Sequence, residues 1–257
     1  TLKPDYAEAY NNMGNALKEQ DKLEEAIDSY QKALRLKPDY AEAYYNMGTA
    51  LQEQNKLEEA ITAYQKALTL KPDYAEAHNN MGNALKEQNK LEEAIDSYQQ
   101  ALILKPDYAK AYNNMGNALK EQNKLEEAIT AYQKALTLKP DYAEAHNNMG
   151  TALQEQNKLE EAIDSYQKAL IHKPDYAEAY WNMSLAELLL GNFDNGFELY
   201  EWRTKKEKDA TRAIRSEFAW DKTRPLDGTR FLIYEEQGLG DTIQFCRYLP
   251  LLEEQGV

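Results

Sequence analysis

Asparagine is spaced through this chain in a way that suits hydrogen bonding to another molecule. It stands at Asn12, Asn46, Asn80, Asn114, Asn148 and Asn182, with Asn15, Asn83 and Asn117 alongside. Around the first of these, Glu8, Asn12, Asn15 and Glu19 fall at i, i+4, i+7 and i+11, one narrow stripe of a helix that turns about 100° per residue. Tyr10, Met13 and Leu17 face the opposite way. Asparagine is a weaker helix former than glutamate or lysine by a few tenths of a kcal/mol, so an exposed helix face gains nothing from it. A carboxamide offers both a donor and an acceptor and can bond both polar groups of a peptide unit while ignoring its side chains. These nine asparagines therefore form the candidate peptide-binding set. The alternative is inheritance: the units are near copies, and duplication multiplies an idle asparagine as readily as a useful one. Against that stands Asn182, kept in the copy where neighbouring residues have changed.

Other chemistry is thin. No Ser/His/Asp or Cys/His arrangement is present, since the three histidines lie within repeated units and Cys246 has no histidine near it in sequence. No catalytic residue, metal ligand set or cofactor site is expected. Paired carboxylates such as Glu58 and Glu59 sit where helices begin, where the helix dipole and solubility account for them. His78 and His146 replace an aromatic residue of other units and read as packed rings. One glycine-bearing turn, EEQGLGD, follows the apolar run TRFLIY at 229–234, and an apolar helical pattern follows from Thr242 to Leu252. Gly238, Gly240 and Asp241 would there let a turn approach a phosphate-bearing ligand at a helix start, or simply form a tight turn with an aspartate cap.

Charge narrows the partner. With 30 Lys+Arg against 44 Asp+Glu the net charge is −14, and basic residues occur only in short runs, so nucleic acid is not an expected partner. The rim formed by Glu8, Glu19 and their equivalents favours a neutral or basic guest by steering. No stretch approaches the roughly 20 apolar residues of a membrane span. A single cysteine suits a reducing compartment, and a cytoplasmic location is the expectation.

The elements that must position the stripe follow from a period. Prolines stand at Pro4, Pro38, Pro72, Pro106, Pro140 and Pro174, each 34 residues after the last, and matching units begin at Ala7, Ala41, Ala75, Ala109, Ala143 and Ala177. Within one unit Tyr44, Met47 and Leu51 share a helical face, as do Leu57, Ile61, Tyr64 and Leu68 in its second half. Each unit is thus two amphipathic helices. Asp39 with Glu42, and Asn55 with Glu58, have the spacing of capping boxes. Pro72 ends the second helix. Gly48 and Ala60 are small where the two helices cross. The sixth unit departs: Ser184 replaces the glycine, Gly196 the crossing alanine and Arg203 the later alanine, with a second helix expected from Phe193 to about Arg203. The expected division is a repeat array over 1–207, a charged linker over 208–228 and the start of an α/β domain over 229–257.

At this point a resemblance becomes specific. Tyr10, Met13, Gly14, Ala26, Tyr30, Ala33 and Pro38 occupy the positions that mark the tetratricopeptide repeat family. That resemblance implies an all-α, right-handed superhelical solenoid of six helical hairpins, first helices lining the concave face, with a short C-terminal strand-loop-helix fragment. It implies a protein-interaction module taking a polypeptide in extended form. The asparagine ladder is similar to that of O-linked N-acetylglucosamine transferases, in which the corresponding asparagines hold the acceptor polypeptide. The wording EQGLGDTIQFCRYLPLL resembles bacterial proteins in which such an array precedes a heptosyltransferase-like glycosyltransferase domain. The chain would then be the substrate-recruiting part of an enzyme, with Gly238, Gly240 and Asp241 in a nucleotide-sugar loop. A third expectation is a structural scaffold that stacks end to end, because near-identical repeats present similar surfaces at both ends.

Overall fold

The computed structural model describes residues 5–202, which belong to the first of two units, Thr1–Lys206 and Glu207–Val257. The expected linker, the strand-loop-helix fragment, Arg203, Gly238, Gly240, Asp241 and Cys246 lie outside the described residues.

The described residues form twelve helices and no strand: α1 Asp5–Glu19, α2 Leu23–Leu36, α3 Ala41–Glu53, α4 Leu57–Leu70, α5 Ala75–Glu87, α6 Leu91–Leu104, α7 Ala109–Glu121, α8 Leu125–Leu138, α9 Ala143–Glu155, α10 Leu159–His172, α11 Ala177–Leu189 and α12 Phe193–Tyr200. Each odd-numbered helix packs on the even-numbered one that follows it, and each even-numbered helix packs on the first helix of the next hairpin. The result is an all-α, right-handed superhelical solenoid of six hairpins. One hairpin cannot bury its own apolar face, so neighbours share a continuous core.

Inside each hairpin a glycine and a tyrosine set the crossing. Tyr30, Tyr64, Tyr98, Tyr132 and Tyr166 are fully buried. Their rings lie directly against Gly14, Gly48, Gly82, Gly116 and Gly150; a methyl group added at Gly82 would stand 2.6 Å from the Tyr98 ring. Any side chain there would push the helices apart. Ala26, Ala60, Ala94, Ala128 and Ala162 are also fully buried.

Both capping-box expectations are overturned. The helix α3 begins after Tyr40 and α4 after Lys56, and neither start has a side-chain cap. Asp39 lies in a turn closed by the Tyr40 N–H donating to the Lys37 carbonyl at 3.2 Å. Asn55 belongs to the end of the preceding helix: its φ is 59°, the left-handed region, where asparagine is tolerated better than most residues. From there its N–H reaches the Gln52 carbonyl at 2.8 Å and the Lys56 N–H the Leu51 carbonyl at 2.9 Å, the paired bonds of a Schellman helix ending. The same turn recurs at Asp21, Asn89, Asn123 and Asn157, with Gly191 in the sixth hairpin.

The sixth hairpin is rebuilt around its substitutions. Ser184 is buried and its hydroxyl donates to the Trp181 carbonyl at 2.7 Å. Leu188 fills the space beside Gly196, 2.7 Å from where a Cβ would sit. Glu187, buried, accepts hydrogen bonds at 2.7 Å from both Asn192 and Asn195. The last helix stops at Tyr200, short of the expected Arg203, and Trp202 turns back to stack on Tyr180 with centroids 3.9 Å apart.

Candidate polypeptide-binding face

The accessible face of the first helices carries the predicted stripe, and the structure shows what holds it. Every asparagine of the row from Asn46 onward spends an amide hydrogen on the hairpin before it. Asn46 Nδ2 donates to Asn11 Oδ1, Asn114 Nδ2 to Asn79 Oδ1, Asn148 Nδ2 to Asn113 Oδ1 and Asn182 Nδ2 to Asn147 Oδ1, each at 3.0 Å. In the second hairpin a tyrosine stands at the accepting position, and Asn80 Nδ2 donates to Tyr45 Oη, also at 3.0 Å. Donor and acceptor are 35 residues apart in every case, so these bonds run from one first helix to the next along the array.

The accepting residues Asn11, Asn79, Asn113 and Asn147 are 0 to 5% exposed, and the sequence reading missed them. A signal was available: asparagine doublets recur at 11–12, 79–80, 113–114 and 147–148, and the first member lies three residues before the glycine that meets the tyrosine ring. A buried polar group is expensive unless bonded, which is why this one is matched to a donor in the neighbour.

Asn15, Asn83 and Asn117 serve the interior as well. Each Oδ1 accepts from the buried tyrosine of its own hairpin: Tyr30 at 2.8 Å, Tyr98 at 2.9 Å and Tyr132 at 2.8 Å. Burial, with the Glu53 carboxylate adding to it, pushes the Tyr30 phenol up to about 12, so the hydroxyl keeps its proton and donates. Asn83 Oδ1 also accepts a second bond from Asn114 Nδ2 at 3.0 Å. The expected pairing of each carboxamide with both groups of a guest peptide unit is therefore reduced. Asn46, Asn148 and Asn182 keep the whole Oδ1 and one N–H. Asn114 has both N–H groups engaged and keeps Oδ1. Asn80 accepts at Oδ1 from Asn79 at 3.1 Å and keeps one N–H. Asn12, at the start of the array, is exposed.

Part of the acidic rim is internally compensated. Glu53, Glu121 and Glu155 pair with Lys18, Lys86 and Lys120 of the preceding hairpin at 3.4, 3.1 and 3.4 Å, while Glu87 accepts from Gln52 at 2.7 Å. Glu76 and Glu144 pair with Lys105 and Lys173. Exposed pairs of this kind contribute about 0–1 kcal/mol each, but they cancel part of the field that steering requires.

His78 and His146 are packed rings, as their positions suggest. His146 is buried, its Nε2 bonds the Pro140 carbonyl at 3.0 Å, and its ring stacks on His172 with centroids 5.8 Å apart. Burial holds both imidazoles below their ordinary pKa. Among the described residues no group of three or more His, Cys, Asp or Glu could hold a metal ion, and no described helix is long and apolar enough to cross a membrane. On the outer side, a hollow of about 570 Å³ lies between α6 and α8 over Met115 and Leu119, with no nucleophile paired to a base.

The family models for the tetratricopeptide repeat match residues 14–55, 50–89, 82–123, 116–157 and 143–176. The chain belongs to the tetratricopeptide repeat family. Among solved structures, this tetratricopeptide array is similar to MamA from Desulfovibrio magneticus RS-1, at 25% identity over 67% of this chain and 97% of that one, with a TM-score of 0.61. It shares its fold with pilF of Pseudomonas aeruginosa, at 20% identity, 83% and 97% coverage and a TM-score of 0.70. It shares it also with YrrB, described as a tetratricopeptide protein with an unusual peptide-binding site, at 23% identity, 75% and 100% coverage and a TM-score of 0.56. No curated protein matches the chain.

Proposed function

We propose that this tetratricopeptide array is a protein-interaction module that holds a polypeptide in extended form along the face of its first helices, with Asn12, Asn46, Asn80, Asn114, Asn148 and Asn182 as the contact row. The observation that carries the reading is the set of Oδ1 atoms on Asn46, Asn114, Asn148 and Asn182, which have no partner within the described residues. These four recur at the same place in α3, α7, α9 and α11. Acceptors repeated at the pitch of a solenoid suit a regularly repeating donor, and the backbone of an extended chain is one. Asn83 also holds this row through Asn114, and Asn15, Asn83 and Asn117, whose Oδ1 atoms serve the buried tyrosines, offer a guest only their amide hydrogens.

The test is selection of binders from a random dodecapeptide library, followed by comparison of the parent with Asn80→Ala/Asn114→Ala/Asn148→Ala. Loss of about tenfold or more in affinity, at unchanged far-ultraviolet ellipticity, is the expected result; each removed hydrogen bond is worth roughly 1 kcal/mol net. Equal binding by both proteins would sink the proposal. The finer proposal, that the array recruits acceptor polypeptide for a glycosyltransferase, rests on the wording of residues 236–252 and on the ladder's likeness to O-linked N-acetylglucosamine transferases. Sugar transfer to a captured peptide by a longer form of the protein is its test.

A further inference from the structure

The residue immediately before the contact asparagine is no bystander in the first five hairpins. In five successive hairpins it is Asn11, Tyr45, Asn79, Asn113 and Asn147, and in all five it presents an oxygen to the amide of the next hairpin's contact asparagine. Chemistry is kept where residue type is not: the second hairpin delivers a phenol oxygen in place of a carboxamide oxygen. Four of these residues are at most 5% exposed, too deep to touch a guest that lies in the groove. What they do is fix the rotation of the carboxamide above them. With Nδ2 tied to the neighbour, Oδ1 of Asn46, Asn114, Asn148 and Asn182 is turned away from that bond, and in Asn114 a second bond to Asn83 removes the last free N–H.

We infer that this underlying row consists of positioning residues that fix the rotation of the contact carboxamides, so that Oδ1 of Asn46, Asn114, Asn148 and Asn182 is held ready to accept from the backbone N–H groups of an extended polypeptide. The inference rests on the proposed binding face. It narrows the guest to a chain with free backbone N–H groups at the contact points, which excludes proline there. It also explains why asparagine is kept at the contact position. Glutamate or aspartate would supply acceptors but could not donate to the row beneath, and lysine or serine would lack the paired donor and acceptor on one planar group.

The second hairpin offers a one-atom test, because Asn80 Oδ1 accepts one bond from Asn79 and keeps its second lone pair for a guest. Tyr45→Phe removes only the oxygen that accepts from Asn80 and leaves the ring that packs against Tyr64 and Tyr74. Tyr45→Asn restores an acceptor of the kind used in the other hairpins. The probe is a dodecapeptide selected from the library on the parent array, used as the amide and as analogues in which one backbone N–H at a time is replaced by an ester oxygen. Tyr45→Phe is expected to weaken binding roughly five- to tenfold, the cost of one misplaced hydrogen-bonding group. Tyr45→Asn is expected to restore it, and ester replacement at two or more positions to weaken binding by a similar factor. A merely structural role would lower the thermal midpoint in Tyr45→Phe without rescue of affinity by Tyr45→Asn. Equal affinity of Tyr45→Phe and parent, or of ester and amide peptides, overturns the inference while leaving the binding face intact, provided that Asn80→Ala/Asn114→Ala/Asn148→Ala still abolishes binding. If no peptide depends on those three asparagines, the binding face itself fails, and the positioning role falls with it.

Discussion

His146 shows how one residue's surroundings set its chemistry. It takes the place of Tyr10, Tyr44, Tyr112 and Tyr180, is buried, and bonds one carbonyl through Nε2 while Nδ1 has no partner. Burial, and to a lesser degree His172 and Lys168, hold it in the neutral form against the pull of the Pro140 carbonyl bond and of Asp164; His78 is lowered by burial against a bond to the Pro72 backbone. The folded pKa of both lies below the unfolded value. The unfolded chain therefore binds more protons as pH falls through the imidazole range, and stability drops as pH goes from about 7 to about 5. Replacing both, His78→Tyr/His146→Tyr, is expected to flatten that slope. Urea midpoints at pH 7.5 and pH 5 check it, and a double variant that loses as much as the parent would show that carboxylates govern the fall. The packing role of these histidines was legible from their periodic place. Their carbonyl bond to the proline loop was not, because it depends on how the loop between hairpins returns over α9.

At the scale of an element, two small sequence alternations turn out to be one device. The first helices of hairpins one to five carry either Asn15 with Lys18, as in Asn83/Lys86 and Asn117/Lys120, or Thr49 with Gln52, as in Thr151/Gln154. The buried tyrosine explains the pairing. Where asparagine is present it accepts from the phenol; where threonine replaces it, the glutamine is the nearer acceptor, at 3.0 Å from Tyr64 and 2.9 Å from Tyr166, with Thr49 Oγ1 a longer second acceptor for Tyr64 at 3.5 Å. Lysine cannot accept, so it is found only with asparagine. In the other combination Gln52 also bonds Glu87, in the place of the lysine pair. Asn117→Thr alone should therefore cost about 1 kcal/mol by leaving the Tyr132 hydroxyl only a long bond of the kind Thr49 accepts from Tyr64. Asn117→Thr/Lys120→Gln should recover most of it, giving a coupling energy of roughly 0.5–1 kcal/mol in a double-mutant cycle read by chemical denaturation. Additive effects would mean that the hydroxyl finds water instead. The turns between helices carry the opposite lesson: Asn55 looked like a cap because asparagine caps helices and also tolerates the left-handed region, and the two uses share one residue type.

For the molecule as a whole, stability is close to a sum over hairpins and their interfaces. Deleting residues 75–108 removes one hairpin and brings Asn114 to the place of Asn80, where Tyr45 Oη offers the same acceptor. The shortened array is expected to fold, with helical signal reduced in proportion to its length, a lower denaturation midpoint and a smaller m-value. Circular dichroism and a denaturant titration check this; loss of helical signal well beyond that proportion would show a fold that depends on long-range closure rather than on neighbours.

The number of hairpins, their helical faces and the small glycine at the crossing were determined by the sequence itself, because each rests on a short periodic pattern that a single helix obeys; that the glycine meets a tyrosine ring was not. What only the tertiary structure decided is which of two adjacent asparagines points outward and which beneath. Neighbours on a helix differ by about 100° in direction, so the doublet splits between groove and interior, and the partner that settles its role lies 35 residues away on the next helix. The same holds for the rim: its carboxylates are visible in the sequence, but their lysine partners become neighbours only when successive first helices stand side by side.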